Sequence, residues 1–172
     1  SNTDGSINTT KTSANVDAGF SINTWVGTGA TATIGHGLSK APELIIVKNR
    51  DDEDNWCVLA MVGGADATDF LRLDSDQAIA DDADRWNDTA PTTSVFTVDT
   101  DNQVNGDGDN MVAWCFHSVD GYSKVGSYLG NGNANGAFVH TGFRPAWVML
   151  KKTGNAANGS SWCIHDNKRV GY

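Results

Sequence analysis

The apolar residues of this chain occur in short runs, and this spacing restricts the fold more than any other feature. The runs are rich in β-branched and aromatic residues and are separated by clusters of Gly, Asn, Asp and Thr. This pattern is typical of strands joined by turns and lacks the 3.6-residue period of amphipathic helices. The sequence therefore predicts an all-β protein. The expected strands cover residues 20–26, 31–34, 43–49, 55–62, 69–73, 94–99, 111–118, 122–129, 137–140, 146–152 and 161–165.

The stretch 74–91 is the exception, because it is polar and acidic around Ile79 and Trp86. We interpret it as a long loop, with a short helical turn as an option over 76–80. The apolar side chains of the other runs are expected to form the core. The expected core residues are Ile45, Val47, Val58, Phe96, Val112, Trp114 and Val148.

An internal repeat is the strongest long-range signal. The run GFSINTWVGTGATATIGHGLSKAPELIIVKN at 19–49 is echoed by GYSKVGSYLGNGNANGAFVHTGFRPAWVMLKK at 121–152, about 103 positions later. Self-similarity at a fixed period indicates two copies of one unit. The matched pairs are His36 with His140, Pro42 with Pro145, and Cys57 with Cys163.

The repeat divides the chain into three parts. Residues 1–18 are a linker or a connecting strand, 19–120 are the first unit, and 121–172 are a second unit that packs with the first. The second copy lacks a counterpart of the strands over 94–118, so we expect it to be incomplete, with an apolar surface near Trp162 that a C-terminal continuation or a neighbouring subunit covers. Antiparallel strands joined by short turns predict an antiparallel β-sandwich of jelly-roll or lectin-like type, with a closed barrel as the alternative.

Charge and hydropathy restrict the partners. The 172 residues include 21 acidic and 12 basic side chains, which gives a formal net charge of -9. Such a field repels phosphate backbones and anionic headgroups, so we expect no nucleic-acid partner. No run approaches the roughly 18 apolar residues of a membrane-spanning helix, so we expect no membrane insertion.

The three cysteines are each flanked by apolar or aromatic residues, as in Trp56-Cys57-Val58. That context predicts buried, reduced thiols at Cys57, Cys115 and Cys163. We further expect Cys57 and Cys163 to occupy equivalent places in the two units. Spacings typical of zinc sites are missing from the sequence.

Two groups of residues are candidate metal or proton sites. The repeat pair His36 and His140 could bind a metal or titrate as a switch, although a histidine beside glycines more often bonds to turn backbone. The run 99–110 carries oxygen donors at alternating positions, which is calcium-like chemistry, although a hairpin turn explains it more simply. The candidate calcium ligands are Asp99, Asp101, Asn105, Asp107 and Asp109, and we expect no other cofactor.

The tryptophans are candidates for stacking on sugar rings. Trp56, Trp114, Trp147 and Trp162 lie among apolar neighbours, which favours burial. Trp86, in the polar loop, and Trp25, beside a Gly-rich turn, are therefore the candidate ligand-binding residues. No constellation of carboxylates, Ser-His pairs or phosphate loops indicates catalysis, so we expect a protein that is not an enzyme.

Several longer motifs resemble a family of domains of unknown function found in tail-fibre and other virion proteins of marine phages, including cyanophages. They are NTDGSI at 2–7, AGFSI at 18–22, GHGLSKAPELIIVKNR at 35–50, RWNDTAPTTSVFTV at 85–98, DNQVNGDGDNMVAWCFHSVDGYSKVGSYLGNG at 101–132 and TGFRPAWVMLKKT at 141–153. The resemblance implies a β-sandwich in a virion, made in the bacterial cytoplasm, with no known catalytic residues.

Two functions are consistent with these observations. The first is a structural or adhesion module of a phage appendage, which assembles with other virion subunits and forms a homo-oligomer, with a trimer favoured. The second is a lectin-like domain that binds a host surface polysaccharide.

Overall fold

A computed structural model of the chain describes residues 1–154 and 160–169. These residues form eleven strands and two short helices. They are β1 (Lys11–Asn15), β2 (Phe20–Val26), β3 (Ala32–Gly35), β4 (Leu44–Asn49), β5 (Cys57–Ala60), β6 (Asp69–Arg72), β7 (Ala80–Asp81), α1 (Ala83–Trp86), β8 (Val95–Val98), α2 (Asn102–Asn105), β9 (Asn110–Phe116), β10 (Trp147–Leu150) and β11 (Cys163–Asp166).

The prediction of an all-β protein is confirmed, because strands dominate and every strand pair is antiparallel. Seven strands form one sheet in the order β1-β2-β9-β4-β5-β6-β7. Strand β9 therefore lies between β2 and β4, and both of its edges are hydrogen-bonded. The pairs β3-β8 and β10-β11 form two further two-stranded sheets.

The main core lies between one face of the large sheet and the β3-β8 pair. Alternate residues of β4 and β9, such as Ile45, Val47 and Met111, point to this inner face and are fully buried. The side chains of Ile34 and Phe96 come from the covering pair. Both short helices add to the same core, because Trp86 of α1 and Val104 of α2 are also fully buried.

The N-terminal segment 1–18 pairs with two of the sheets. Strand β1 pairs with β2, and Ile7 makes a parallel bridge to Ile34. Gly35 approaches this segment so closely that a Cβ there would lie 1.9 Å from Asn2 Oδ1. The sequence did not indicate β1 because its residues, KTSAN, are polar and mostly exposed, as is common for an edge strand.

Nine of the eleven predicted strand regions contain a strand. The predictions at 122–129 and 137–140 are wrong, since both stretches are exposed and irregular. A strand is stable only with a hydrogen-bonded neighbour, and β9, which immediately precedes this segment, already has two. The helical turn expected over 76–80 is also wrong, because these residues are extended and lead into β7.

The predicted core is confirmed for most of its residues. Five of the seven residues are buried, whereas Trp114 and Val148 are half-buried. Trp114 points to the outer face of the large sheet. Val148 lies in the separate β10-β11 pair, which has less protein around it.

Candidate functional site

The outer face of the large sheet carries an apolar row that crosses five strands. The cross-strand partners place Ile22 beside Trp114, Trp114 beside Ile46, and Ile46 beside Val58, which in turn faces Leu71. Cross-strand neighbours on one face have Cβ atoms about 5 Å apart, so the row is continuous. We call Ile22, Trp114, Ile46, Val58 and Leu71 the outer row.

Aromatic side chains extend the outer row. The rings of Trp56 and Trp114 stack with centroids 5.2 Å apart, and those of Phe20 and Phe116 lie 4.8 Å apart. All four side chains are half-buried. The row is thus an aromatic surface that the rest of the described chain covers only in part.

The C-terminal residues cover one end of the outer row. Trp162 packs there, and its Nε1 donates a hydrogen bond to the carbonyl of Arg72 at 2.8 Å. The amide of Ile79 donates to the carbonyl of Thr153 at 3.1 Å, and Lys151 Nζ donates to the carbonyl of Ser75 at 3.2 Å. These bonds attach the β10-β11 hairpin to the loop that follows β6.

The β10-β11 hairpin has the same strand register as the β4-β5 hairpin. In one, Leu44 faces Ala60 and Val47 faces Cys57. In the other, Trp147 faces Asp166 and Leu150 faces Cys163. Each residue of β10 lies 103 positions after its counterpart in β4, and each residue of β11 lies 106 positions after its counterpart in β5.

The flanking hydrogen bonds agree with this register. The amide of Met61 donates to the carbonyl of Glu43 at 2.9 Å, and the amide of Asn167 donates to the carbonyl of Ala146 at 3.0 Å. The two hairpins differ in their surroundings. Strand β9 pairs with the second edge of β4, whereas no strand in residues 1–154 and 160–169 pairs with the second edge of β10.

Large exposed apolar side chains concentrate in the same part of the chain. Among the described residues, seven of the nine such side chains lie between positions 122 and 164, and Leu129 and Phe138 are 92% and 91% exposed. They are Tyr122, Tyr128, Leu129, Phe138, Val139, Trp147 and Ile164. An apolar surface of this kind is typical of a region that binds another protein.

The predicted ligand-binding tryptophans, Trp86 and Trp25, are both wrong. Trp86 is 0% exposed because helix α1, capped by Asp82, turns its ring into the main core. Trp25 is 1% exposed, packs edge-on against Phe96, and donates from Nε1 to Asn105 Oδ1 at 3.4 Å. Neither ring can stack on a sugar. The burial expected for the other four tryptophans is also not complete, because Trp56, Trp114 and Trp162 are half-buried and Trp147 is 55% exposed.

The candidate calcium ligands are not brought together. Asp99 accepts from Thr31 Oγ1, Asp101 caps α2 and pairs with Arg85, and Asn105 bonds to Trp25 and to the 28–30 turn. Asp107 is exposed, and Asp109 accepts from Asn49 Nδ2 at 2.8 Å. Across the described ranges, no group of three or more His, Cys, Asp or Glu side chains is placed to hold a metal ion.

Acidic side chains near this loop instead bond to backbone and amide groups. Asp51 Oδ2 accepts from the backbone amide of Asn110 at 2.7 Å and from its side chain at 2.8 Å, and these bonds lower the pKa of Asp51. Asp54 is different, because burial, followed by the charge of Asp52, raises its pKa. The hydrogen bonds that Asp51 and Asp109 accept thus join the loops at one end of the sheet.

The repeat histidines have different environments. His36 is buried, its Nδ1 accepts from the amide of Leu38 at 3.1 Å, and its Nε2 lies 3.2 Å from the carbonyl of Thr92. These contacts place the proton on Nε2, and burial lowers the pKa of His36. His140 is exposed in an irregular segment. The structure thus confirms for His36 the bonding to backbone that a turn histidine favours.

The cysteines are all free, but only two are buried. Burial raises the pKa values of Cys57 and Cys115 to about 12. The prediction for Cys163 is wrong, because its side chain is exposed. Its counterpart Cys57 is part of the main core, whereas Cys163 belongs to neither hydrophobic cluster of the described residues.

No helix in the described ranges is long and apolar enough to cross a membrane.

A family model matches residues 1–172, and its description is a domain of unknown function (DUF7483). Neither the curated proteins nor the solved structures include a match to this chain.

Proposed function

We propose that this chain, which belongs to the DUF7483 family of domains of unknown function, is a non-enzymatic structural and adhesion module of a bacteriophage virion appendage such as a tail fibre. The observation that carries the assembly role is the concentration of exposed apolar side chains between positions 122 and 164. Burying these side chains against another subunit is favourable at about 25 cal/mol per Å². The proposed virion location rests on the resemblance of the motifs at 35–50 and 101–132 to domains of phage virion proteins.

The fold that we propose for this module is an antiparallel sandwich built on a repeat. The first unit covers 19–120, with 1–18 as its connecting strand, and the second unit covers 121–172. The support is the shared register of the β4-β5 and β10-β11 hairpins. The irregular backbone over 122–140 has no equivalent in the first unit, so the correspondence is limited to the hairpins.

The module forms a homo-oligomer in this proposal, with a trimer as the expected order, and contacts other virion subunits. Light scattering or sedimentation of the purified chain measures its mass. We expect about three times the 18.3 kDa of one chain. A mass of one chain at all accessible concentrations overturns the homo-oligomer.

Matched variants locate the contact. The double variant Leu129→Ser and Phe138→Ser removes the two most exposed apolar side chains and should shift the mass towards the monomer. The control, Val16→Ser and Val26→Ser, changes exposed apolar residues outside the 122–164 segment and should leave the mass unchanged. Equal effects of the two double variants contradict an interface in this segment.

A second candidate is a carbohydrate-binding domain that recognises a host surface glycan. The observation that favours it is the half-buried stack of Trp56 on Trp114, beside the polar residues Asn55 and Asp74. A glycan array separates the two functions. Specific binding that is lost in Trp56→Ala and kept in Trp147→Ala supports the lectin function, and no binding to any host glycan leaves the structural module.

A further inference from the structure

Within the described ranges no strand pairs with the second edge of β10, and this edge has a defined counterpart in β4. In an antiparallel pair, alternate residues bond to the same neighbour. Because the carbonyl of Ala146 accepts from Asn167, the backbone groups of Val148 and Leu150 also face β11. The amides of Trp147 and Met149 therefore face away from β11, towards the unpaired edge.

The equivalent edge of β4 is filled by β9. There Leu44 faces Phe116 and Ile46 faces Trp114. The matching positions in β10 are Trp147 and Met149. At Thr153 the edge meets the loop after β6, whose Ile79 amide bonds to the Thr153 carbonyl. The unpaired edge thus extends over about five residues, 147–151.

The chain's own β9 cannot occupy this edge. Its alternate residues bond to β4 and to β2, as the bond from the Arg50 amide to the carbonyl of Asn110 and the bond from the Gly27 amide to the carbonyl of Asp109 show. A strand from another polypeptide can pair with this edge. An unpaired edge of this kind binds extended peptides by adding a strand to the sheet.

We propose that β10 accepts an antiparallel strand from another subunit of the assembly, with the side-chain pattern of β9. Aromatic residues of the added strand lie opposite Trp147 and Met149, as Phe116 and Trp114 lie opposite Leu44 and Ile46. Aromatic cross-strand pairs add to the stability that the backbone bonds provide. That the strand comes from another subunit rests on the assembly role proposed above. Its sequence pattern rests on the register that the two hairpins share.

A peptide with the sequence of residues 109–118, carrying Cys115→Ser, is the probe. Amide hydrogen exchange, followed by NMR on the whole chain, reports the edge residue by residue. Without peptide, the amides of Val148 and Leu150 should exchange slowly and those of Trp147 and Met149 quickly. Saturating peptide should slow exchange at Trp147 and Met149.

Two N-methylated peptides provide matched controls. Methylation of the amide of Trp114 blocks a group that faces β4 in the parent sheet, and it should weaken binding about tenfold. Methylation of the amide of Ala113 alters a group that faces β2, and the affinity should stay within about twofold of that of the unmethylated peptide. A difference between the two methylated peptides distinguishes strand addition from non-specific apolar binding, because neighbouring amides of a strand point to opposite edges.

Three results overturn the proposal. One is that peptide up to about 1 mM does not slow amide exchange at Met149. Another is that the two N-methyl groups weaken peptide binding equally. The third is slow exchange at Met149 that depends on protein concentration without peptide, because a second copy of β10 is then the occupant. The first two results are independent of the mass of the chain, which tests the homo-oligomer.

Discussion

Trp86 lies in a polar stretch of sequence, yet the structure buries its side chain completely. A buried Trp removes about 200 Å² from water, which contributes about 5 kcal/mol at about 25 cal/mol per Å². Its Nε1 has no hydrogen-bond partner among the described residues, and this costs about 1–2 kcal/mol. We therefore expect Trp86→Ala to lower the free energy of unfolding by about 3–4 kcal/mol, within the range for buried aromatic residues.

Urea unfolding followed by circular dichroism measures this loss, and thermal unfolding should show a decrease in Tm of about 10 °C. The matched control is Trp147→Ala, since Trp147 is 55% exposed and should cost less than about 1 kcal/mol. Trp86→Phe should cost about 1 kcal/mol, because it keeps most of the apolar area and removes the unpaired N–H. Equal losses for Trp86→Ala and Trp147→Ala, or a loss below 1 kcal/mol for Trp86→Ala, refute the burial of Trp86 in the core.

Three further predictions concern single residues. A maleimide should label Cys163 alone in the native chain, as mass spectrometry counts, and labelling of Cys57 or Cys115 before unfolding contradicts their burial. Burial lowers the pKa of His36 from 6.5, so the stability present above pH 6.5 is lost as the pH falls towards the pKa of the folded state. Urea titrations at several pH values should show that His36→Gln loses less stability than the wild-type chain as the pH falls. An identical loss in the two proteins argues against a contribution from His36. Gly5→Ala should displace the N-terminal segment, because its Cβ would lie 2.3 Å from the carbonyl oxygen of Thr33; limited proteolysis that cuts no faster within residues 1–10 than in the wild-type chain counts against that packing.

The sequence predicted nine of the eleven strands and missed β1, which is mostly polar, and β7, which has two residues. The short apolar runs in LIIVKN and NMVAWCF are sufficient to place β4 and β9. The stretch 122–129 also contains apolar residues, but it joins none of the three sheets. Whether an apolar run becomes a strand depends on a neighbour that no local pattern specifies.

Burial was predicted least well where it depends on distant packing. Polar residues around Trp86 indicated a loop, although Asp82 at the N-cap and Asp84 in the first turn were a local signal for α1. Cys57 and Cys163 have matching neighbours in sequence and opposite exposure in the structure. The difference arises from the layer over Cys57, which lies far away in sequence.

Location in the assembled particle tests the central proposal most directly. Gold-labelled antibodies raised against this chain, applied to purified phage particles from a lysate that contains the chain and viewed by electron microscopy, mark where it lies. We expect gold along or at the tip of the tail appendages, in the same place on every particle. Particles that carry no gold, while a lysate of infected cells contains the chain, would contradict a virion role.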